Sequence, residues 1–515
     1  MKRLIIKTSI LFLLVGGILS GCKKALEVEP RQSVDASNAL TSRDGINAAI
    51  NGAYARLKGV RVYGRDLIAL PEALADNGYA TNKSGRLLPE ANNTFNAHFT
   101  TALWQTAYLA INDINLVFDA IPKLDVTPAV NATEVAAWEG QLYFLRGLYH
   151  FNVALAYAYI PGSVVPSQDR GGIPIMLKGT TNIIDAPKVL PNRSPIADVY
   201  NQIVSDLTAA QDRLVFSTGA GFQSVANKVA AQALLSRVNL YRKNYTEAKR
   251  WADSCIARVG TGTSTRLTNA SNYVTNWRVA INQETLFQVL YATNAENPGV
   301  NESLQTSFTT LVTPGVQTVT GGFGDLVPTL TLLSDLGITL SGGQTEVNFR
   351  TNNHVVGTRS ADVRNLLYEP GTSGRGKIYI ETTKYVGKNG FINLDNVPVV
   401  RISEMFLNRA EAMTTPGSPV FDETAALADL NTILTNRGLT AVVLSGTALY
   451  NEILRQRRIE LAFEGHRFFD LKRLGRDLVK SPHYNNVAFT DARVLAPIPQ
   501  REVDGNPNLV QNFGY

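Results

Sequence analysis

Eight of the seventeen residues from Arg457 to Arg473 (RRIELAFEGHRFFDLKR) are charged, in a chain that is 18% charged overall. Glu460 and Glu464 are spaced to lie one helical turn apart, with His466 and Asp470 close behind. Glycoside hydrolysis uses two carboxylates about 5–10 Å apart across a sugar, so this pair is a candidate for acid–base chemistry. A general acid, however, needs its pKa raised. Arg457 and Arg458 share the turn and would hold both carboxylates ionised. Read as one helix, TALYNEILRQRRIELAFEGHRFF places Tyr450, Ile453, Leu454, Arg457, Leu461 and Glu464 at spacings of three and four. An arginine and a glutamate on an apolar stripe persist only when paired. The stretch is therefore expected to form an inward network of Glu460, Glu464, Arg457, Arg458, Arg467 and Asp470. Gly465 would end or bend the helix, and Phe468, Phe469 and Leu471 would anchor the segment after it.

Other catalytic signals are weaker. Gly371–Lys377 (GTSGRGK) fits G-x-x-x-x-G-K, but Ile378 comes next where a phosphate loop needs Ser or Thr, and IYIET reads as a strand. His98, His150, His354, His466 and His483 are scattered without metal-ligand spacing. Cys255 sits at a small apolar position of a helical pattern and reads as a buried thiol. No metal and no cofactor is expected.

The chain opens MKRLIIKTSILFLLVGGILSGC, a positive start and a ten-residue apolar run ending in small residues and Cys22. That is the layout of a cleaved export signal, and Leu19–Cys22 resembles a lipobox whose cysteine is lipidated. Removing Lys2, Arg3 and Lys7 leaves 46 basic against 43 acidic residues, a net charge of +3. This balance argues against nucleic acid as a partner.

The positioning elements are mostly helices. SRDGINAAINGAYARLK starts one at Ser42. ALWQTAYLAINDINLVFDAI and EVAAWEGQLYFLRGLYHFNVALAYAY come next, with Trp104 and Trp138 read as core. NKVAAQALLSRVNLYRKNYTEAKRWADSCIARV predicts a hairpin turning near Lys243–Asn244, where Ser236 and Ala248 allow close approach. It partly matches the tetratricopeptide pattern, with Tyr245 opening the second helix and Gln232 and Ser236 replacing the usual tryptophan and glycine. VRISEMFLNRAEAM and DETAALADLNTILTNRG predict a second pair. Residues 260–400 change texture, with long loops and short β-like runs (ETLFQVLYA, KIYIETTKYVG, VPVV). Loops of this length are commonly functional. Aromatic, amide and arginine side chains in them suit sugar faces and hydroxyls. The candidate ligand residues are Asp76, Asn77, Tyr79 and Arg86 in ADNGYATNKSGR, and Trp277, Tyr291 and Asn294 further on.

RRIELAFEGHRFFDLKRLG resembles the hallmark of the SusD/RagB family of outer-membrane nutrient-binding lipoproteins. EGQLYFLRGLYHFNVALAYAYIPG, ADVYNQIVSDLTAAQDRL, RISEMFLNRAEAM and LAPIPQREVDGNPNLVQNFGY are similar to other family segments, in order. The resemblance implies a mostly α fold: a tetratricopeptide-like helical-hairpin scaffold with a loop-rich ligand region and a few short strands. The expected organisation is a signal peptide over 1–21, an N-terminal helical region over 22–260 and a C-terminal region over 261–515. It implies no enzyme activity. It implies a lipid anchor at Cys22, an oligosaccharide or peptide ligand, and a SusC-type TonB-dependent outer-membrane barrel as partner. Lys23 and Lys24 depart from the acidic residues that usually accompany export to the cell face; Glu27 and Glu29 come later. A glycan-processing enzyme and a protein-binding scaffold are the two other classes the residues leave open.

Overall fold

The computed structural model describes residues 39–99, 101–124, 130–180, 189–217, 221–259, 267–388 and 390–515. The export signal and Cys22 lie outside them. Helix α1 (Arg43–Leu57) begins where expected, with the Ser42 hydroxyl accepting from the Gly45 amide. Next are α2 (Asp66–Leu74), α3 (Thr101–Ala120), α4 (Ala132–Tyr157), α5 (Ile196–Arg213), α6 (Lys228–Tyr241) and α7 (Tyr245–Val259). Later come α8 (Ile402–Thr414), α9 (Glu423–Asn436), α10 (Gly446–Glu460) and α11 (Arg467–Arg473). Sequential neighbours pack from α3 through α7, then α7 packs on α8, and α8 on α9 and α10. Both expected hairpins form. In the first, Ser236 Oγ donates to the Ala248 carbonyl at 2.9 Å, which requires the close approach that small residues permit. Trp104 and Trp138 are each 3% exposed and belong to the core, as read from their stripes.

Among the described residues eight short strands form four antiparallel pairs. They are β1 (Gly78–Ala80), β2 (Thr285–Val289), β3 (Leu326–Pro328), β4 (Ile338–Leu340), β5 (Val356–Arg359), β6 (Tyr368–Pro370), β7 (Ile380–Thr382) and β8 (Val397–Arg401). The pairs are β1–β3, β2–β8, β4–β5 and β6–β7. β2, β7 and β8 lie in the three β-like runs.

The helix, expected to end or bend at Gly465, already stops at Glu460. A turn intervenes before α11, with Phe463 at φ +61° and Gly465 at φ +84°. Side chains stabilise the early ending. Lys384 Nζ donates to the carbonyls of Glu460 (3.3 Å) and Ala462 (2.8 Å), and Arg401 Nη2 to that of Glu460 (3.1 Å). These replace the partners the last turn lacks.

Candidate ligand-binding site

The charged stretch folds inward, and each of its carboxylates is held by two or more cations. Glu460 accepts from Arg437 (2.8 and 2.9 Å) and Arg401 (3.1 Å). Glu464 accepts from Arg401 (2.7 and 2.8 Å) and Lys384 (2.7 Å). Asp470 is shared by Arg457 and Arg473. Burial alone would raise the Glu460 and Glu464 pKa values, but the cations overcome it and bring both below the ordinary carboxylate range. Neither can serve as a general acid near neutral pH. Sequence reading named the members of this network but missed most of their partners: Arg401, Arg437, Arg364, Lys384, Glu284 and Glu411. Arg401 carried a readable signal, since it ends the apolar run VPVV.

The network also accounts for three of the candidate ligand residues. Asp76 lies just after α2 and accepts from Arg467 at 2.6 and 2.8 Å. Asn77 accepts from Arg458 (2.8 Å) and donates to Glu72 (2.7 Å). Both side chains thereby tie β1 to the charged stretch. Trp277 is 1% exposed, with Lys384 Nζ and the Arg401 guanidinium 4.9 and 5.3 Å from its ring centre. Its ring belongs to the interior and presents no face to a ligand. Tyr291 is also buried, its hydroxyl donating to the Lys58 carbonyl at 2.7 Å. Asn294 opens an exposed 3₁₀ turn and accepts from Asn297 at 3.1 Å.

Tyr79 and Arg86 sit differently. Tyr79, on β1, joins a cluster with Phe349, Tyr379, His483 and Tyr484 at ring-centre distances of 5.0, 5.9, 5.1 and 5.8 Å. Tyr484 is held in place by the Ala80 amide, which donates to its hydroxyl at 2.9 Å. Arg350 and Lys377 lie against this cluster, 5.4 Å from the Tyr79 ring centre and 4.6 Å from that of Tyr379. Arg86 donates to Asp325 at 3.1 Å and to the Asn301 carbonyl, and its guanidinium lies 4.6 Å from the Phe323 ring. Burial lowers the pKa of His354 to about 4 and, with Glu346 opposing, also depresses His483. Both are neutral near pH 7. Burial, then the Arg350 charge, brings the Lys377 amine down to about 8. The result is a mostly buried aromatic cluster, reached at its edge by the half-buried Tyr484 and Lys377 and the exposed Arg350. Aromatic and cationic groups at one edge suit apolar sugar faces and polar substituents together.

A model of the SusD family matches residues 344–515, and one described as starch-binding and associating with the outer membrane matches residues 24–240. A SusD-like protein of Formosa agariphila is 24% identical over 559 residues, covering 99% of each chain. The crystal structure of a SusD superfamily protein from Bacteroides thetaiotaomicron matches with a TM-score of 0.74 at 25% identity, over 93% of this chain and 100% of that one. A SusD-like carbohydrate binding protein from Bacteroides vulgatus matches with a TM-score of 0.71 at 18% identity, over 93% and 98%. Among the described residues no helix is long and apolar enough to cross a membrane. With its two ends matched by SusD models and its fold matched along nearly its whole length, the chain belongs to the SusD family.

Proposed function

We propose that the protein captures an oligosaccharide at the surface around Tyr79, without turning it over, and passes it to a SusC-type TonB-dependent barrel. A lipid on Cys22 would tether it to the outer membrane, facing the cell exterior. The observation that carries this reading is the Tyr79–Tyr379–Tyr484 cluster with its edge of cations, in a chain whose family is described as starch-binding and outer-membrane associated. The non-catalytic part is supported by Glu460 and Glu464, whose carboxylates are committed to arginines and a lysine.

Calorimetric titration against glycan and peptide panels, with product assays over a day, tests it. Binding without turnover is expected, in the micromolar to millimolar range or about 4–8 kcal/mol. Tyr79→Ala should weaken it roughly tenfold per folded molecule, and Cys22→Ala should release the protein from the membrane fraction. Turnover lost on a carboxylate substitution would favour an enzyme. Binding of peptides alone would move the ligand class. Tight binding to a partner protein with no small ligand would favour a scaffold.

A further inference from the structure

The segment that resembled a phosphate loop has another use. Gly371–Lys377 forms a 3₁₀ turn at Ser373–Arg375 and then leads to β7, so no helix N-terminus faces a phosphate. Instead it runs beside Lys83–Arg86, and the two segments clamp two aromatic rings between cations. Lys83 and Lys377 place their amines 5.4 and 4.6 Å from the Tyr379 ring centre. Arg86 and Arg375 place their guanidinium carbons 4.6 and 4.2 Å from that of Phe323. Arg350 extends the row to Tyr79.

The charges in this row are unevenly matched. Lys83 pairs with the buried Glu381 at 3.3 Å, Arg86 with the buried Asp325 at 3.1 Å, and Arg350 with Glu346. Among the described residues Arg375 and Lys377 have no carboxylate at ion-pair distance, and Lys377 Nζ donates only to the Phe349 carbonyl. Arg375 is exposed and Lys377 half-buried. The two cations left without a counter-charge are thus open to solvent beside the aromatic cluster. In the interior Arg401, Arg437 and Arg473 are paired with glutamates, and the buried Lys472 and Lys480 are satisfied by backbone carbonyls and an amide. Arg375 and Lys377 differ from these in their openness to solvent. An unmatched pair at the ligand surface is a place for a charge that the ligand brings.

We propose that the captured oligosaccharide is anionic, with carboxylate or sulfate groups held by Arg375 and Lys377 next to the Tyr79–Tyr379 cluster. This rests on reading that cluster as the glycan site. The planar Arg375 fork matches either acid group, and Lys377 adds a point charge. Burial, and after it the Arg350 charge, depress the Lys377 amine, and a bound anion would offset the second of these.

The test is titration of the purified protein with oligogalacturonate and sulfated dextran oligomers, against malto-oligosaccharide and polyglutamate. Wild type, Arg375→Gln/Lys377→Gln and Tyr79→Ala are compared, with melting curves as the folding control. An acidic glycan should bind, more weakly as salt rises. The double variant should lose roughly tenfold or more in affinity while melting as wild type does, and Tyr79→Ala should weaken binding too. Malto-oligosaccharide binding as tightly as the acidic glycans, unchanged in the double variant, would overturn the charge inference and leave glycan capture standing. Binding of polyglutamate with no glycan, or of no probe at all, would overturn both.

Discussion

At position 464 two cations converge on one buried carboxylate. Glu464 is 6% exposed, Arg401 2% and Lys384 2%. Taking such groups out of water is costly, and their mutual attraction only offsets that cost while the set is complete. Glu464→Ala would leave Arg401 and Lys384 short of a counter-charge and should destabilise the protein by about 3–5 kcal/mol. Glu464→Gln keeps the shape but not the charge and should also melt clearly below wild type. Glycan affinity per folded molecule should be largely kept in both, because Glu464 lies in the interior and not at the Tyr79 surface. Unchanged melting with lost binding or turnover would place Glu464 in the site after all. This residue's inward role was legible because a glutamate on an apolar helical stripe has few other uses. Its partners were not, since Arg401 and Lys384 lie 63 and 80 residues away.

The element that carries Glu464 shows where local reading stops. Periodicity gave the helices and both hairpins, since each depends on contacts within one or two turns. It carried α10 past Glu460 to Gly465, because Leu461 and Glu464 keep the helical spacing. The donors that end it earlier, Lys384 and Arg401, are non-local, while the glycine after the helix end is local but meets a distant neighbour. Gly465 stands at φ +84°, and a Cβ there would lie 2.2 Å from the Leu67 carbonyl oxygen on α2. Gly465→Ala should therefore cost at least about 2 kcal/mol, from the left-handed backbone and from a clash that no side-chain rotation relieves. Gly52 in α1 is the control: a Cβ there meets nothing within 4 Å. Gly52→Ala should be stabilising by about 0.5–1 kcal/mol. Denaturant unfolding of the two variants checks both signs, and a neutral Gly465→Ala would mean that the α10–α11 turn does not pack on α2.

On the scale of the whole molecule, the binding surface and the core differ in how they are assembled. The main core draws on residues from Ile46 to Leu509, and its apolar stripes are visible in each segment. The Tyr79 surface is made of Phe323, Arg350, Arg375, Lys377, Tyr379 and Tyr484, brought from separate loops. No spacing in the sequence links them, which is why only Tyr79 and Arg86 at this place are named as ligand candidates, and Arg375 and Lys377 stand out only within a rejected phosphate-loop pattern. Ion pairs tie distant parts of the chain together. Asp76 and Arg467 are 391 residues apart, and Arg237 on α6 grips Glu404 on α8 through two contacts of 2.7 and 2.6 Å. Burial opposes ionisation of Glu404, but Arg237 wins and lowers its pKa from 4.5 to about 2. A carboxylate whose pKa is depressed by folding contributes its full stabilisation above its unfolded value. That contribution is lost as pH falls towards the folded value. The stability gap between wild type and Glu404→Gln should thus be constant from pH 7 to about 5 and narrow by roughly 2 kcal/mol between about pH 5 and 3. Urea unfolding of both proteins across that range measures the gap directly. A gap as large at pH 3 as at pH 7 would show that Arg237 does not hold Glu404 ionised, and that the α6–α8 junction is secured by packing alone.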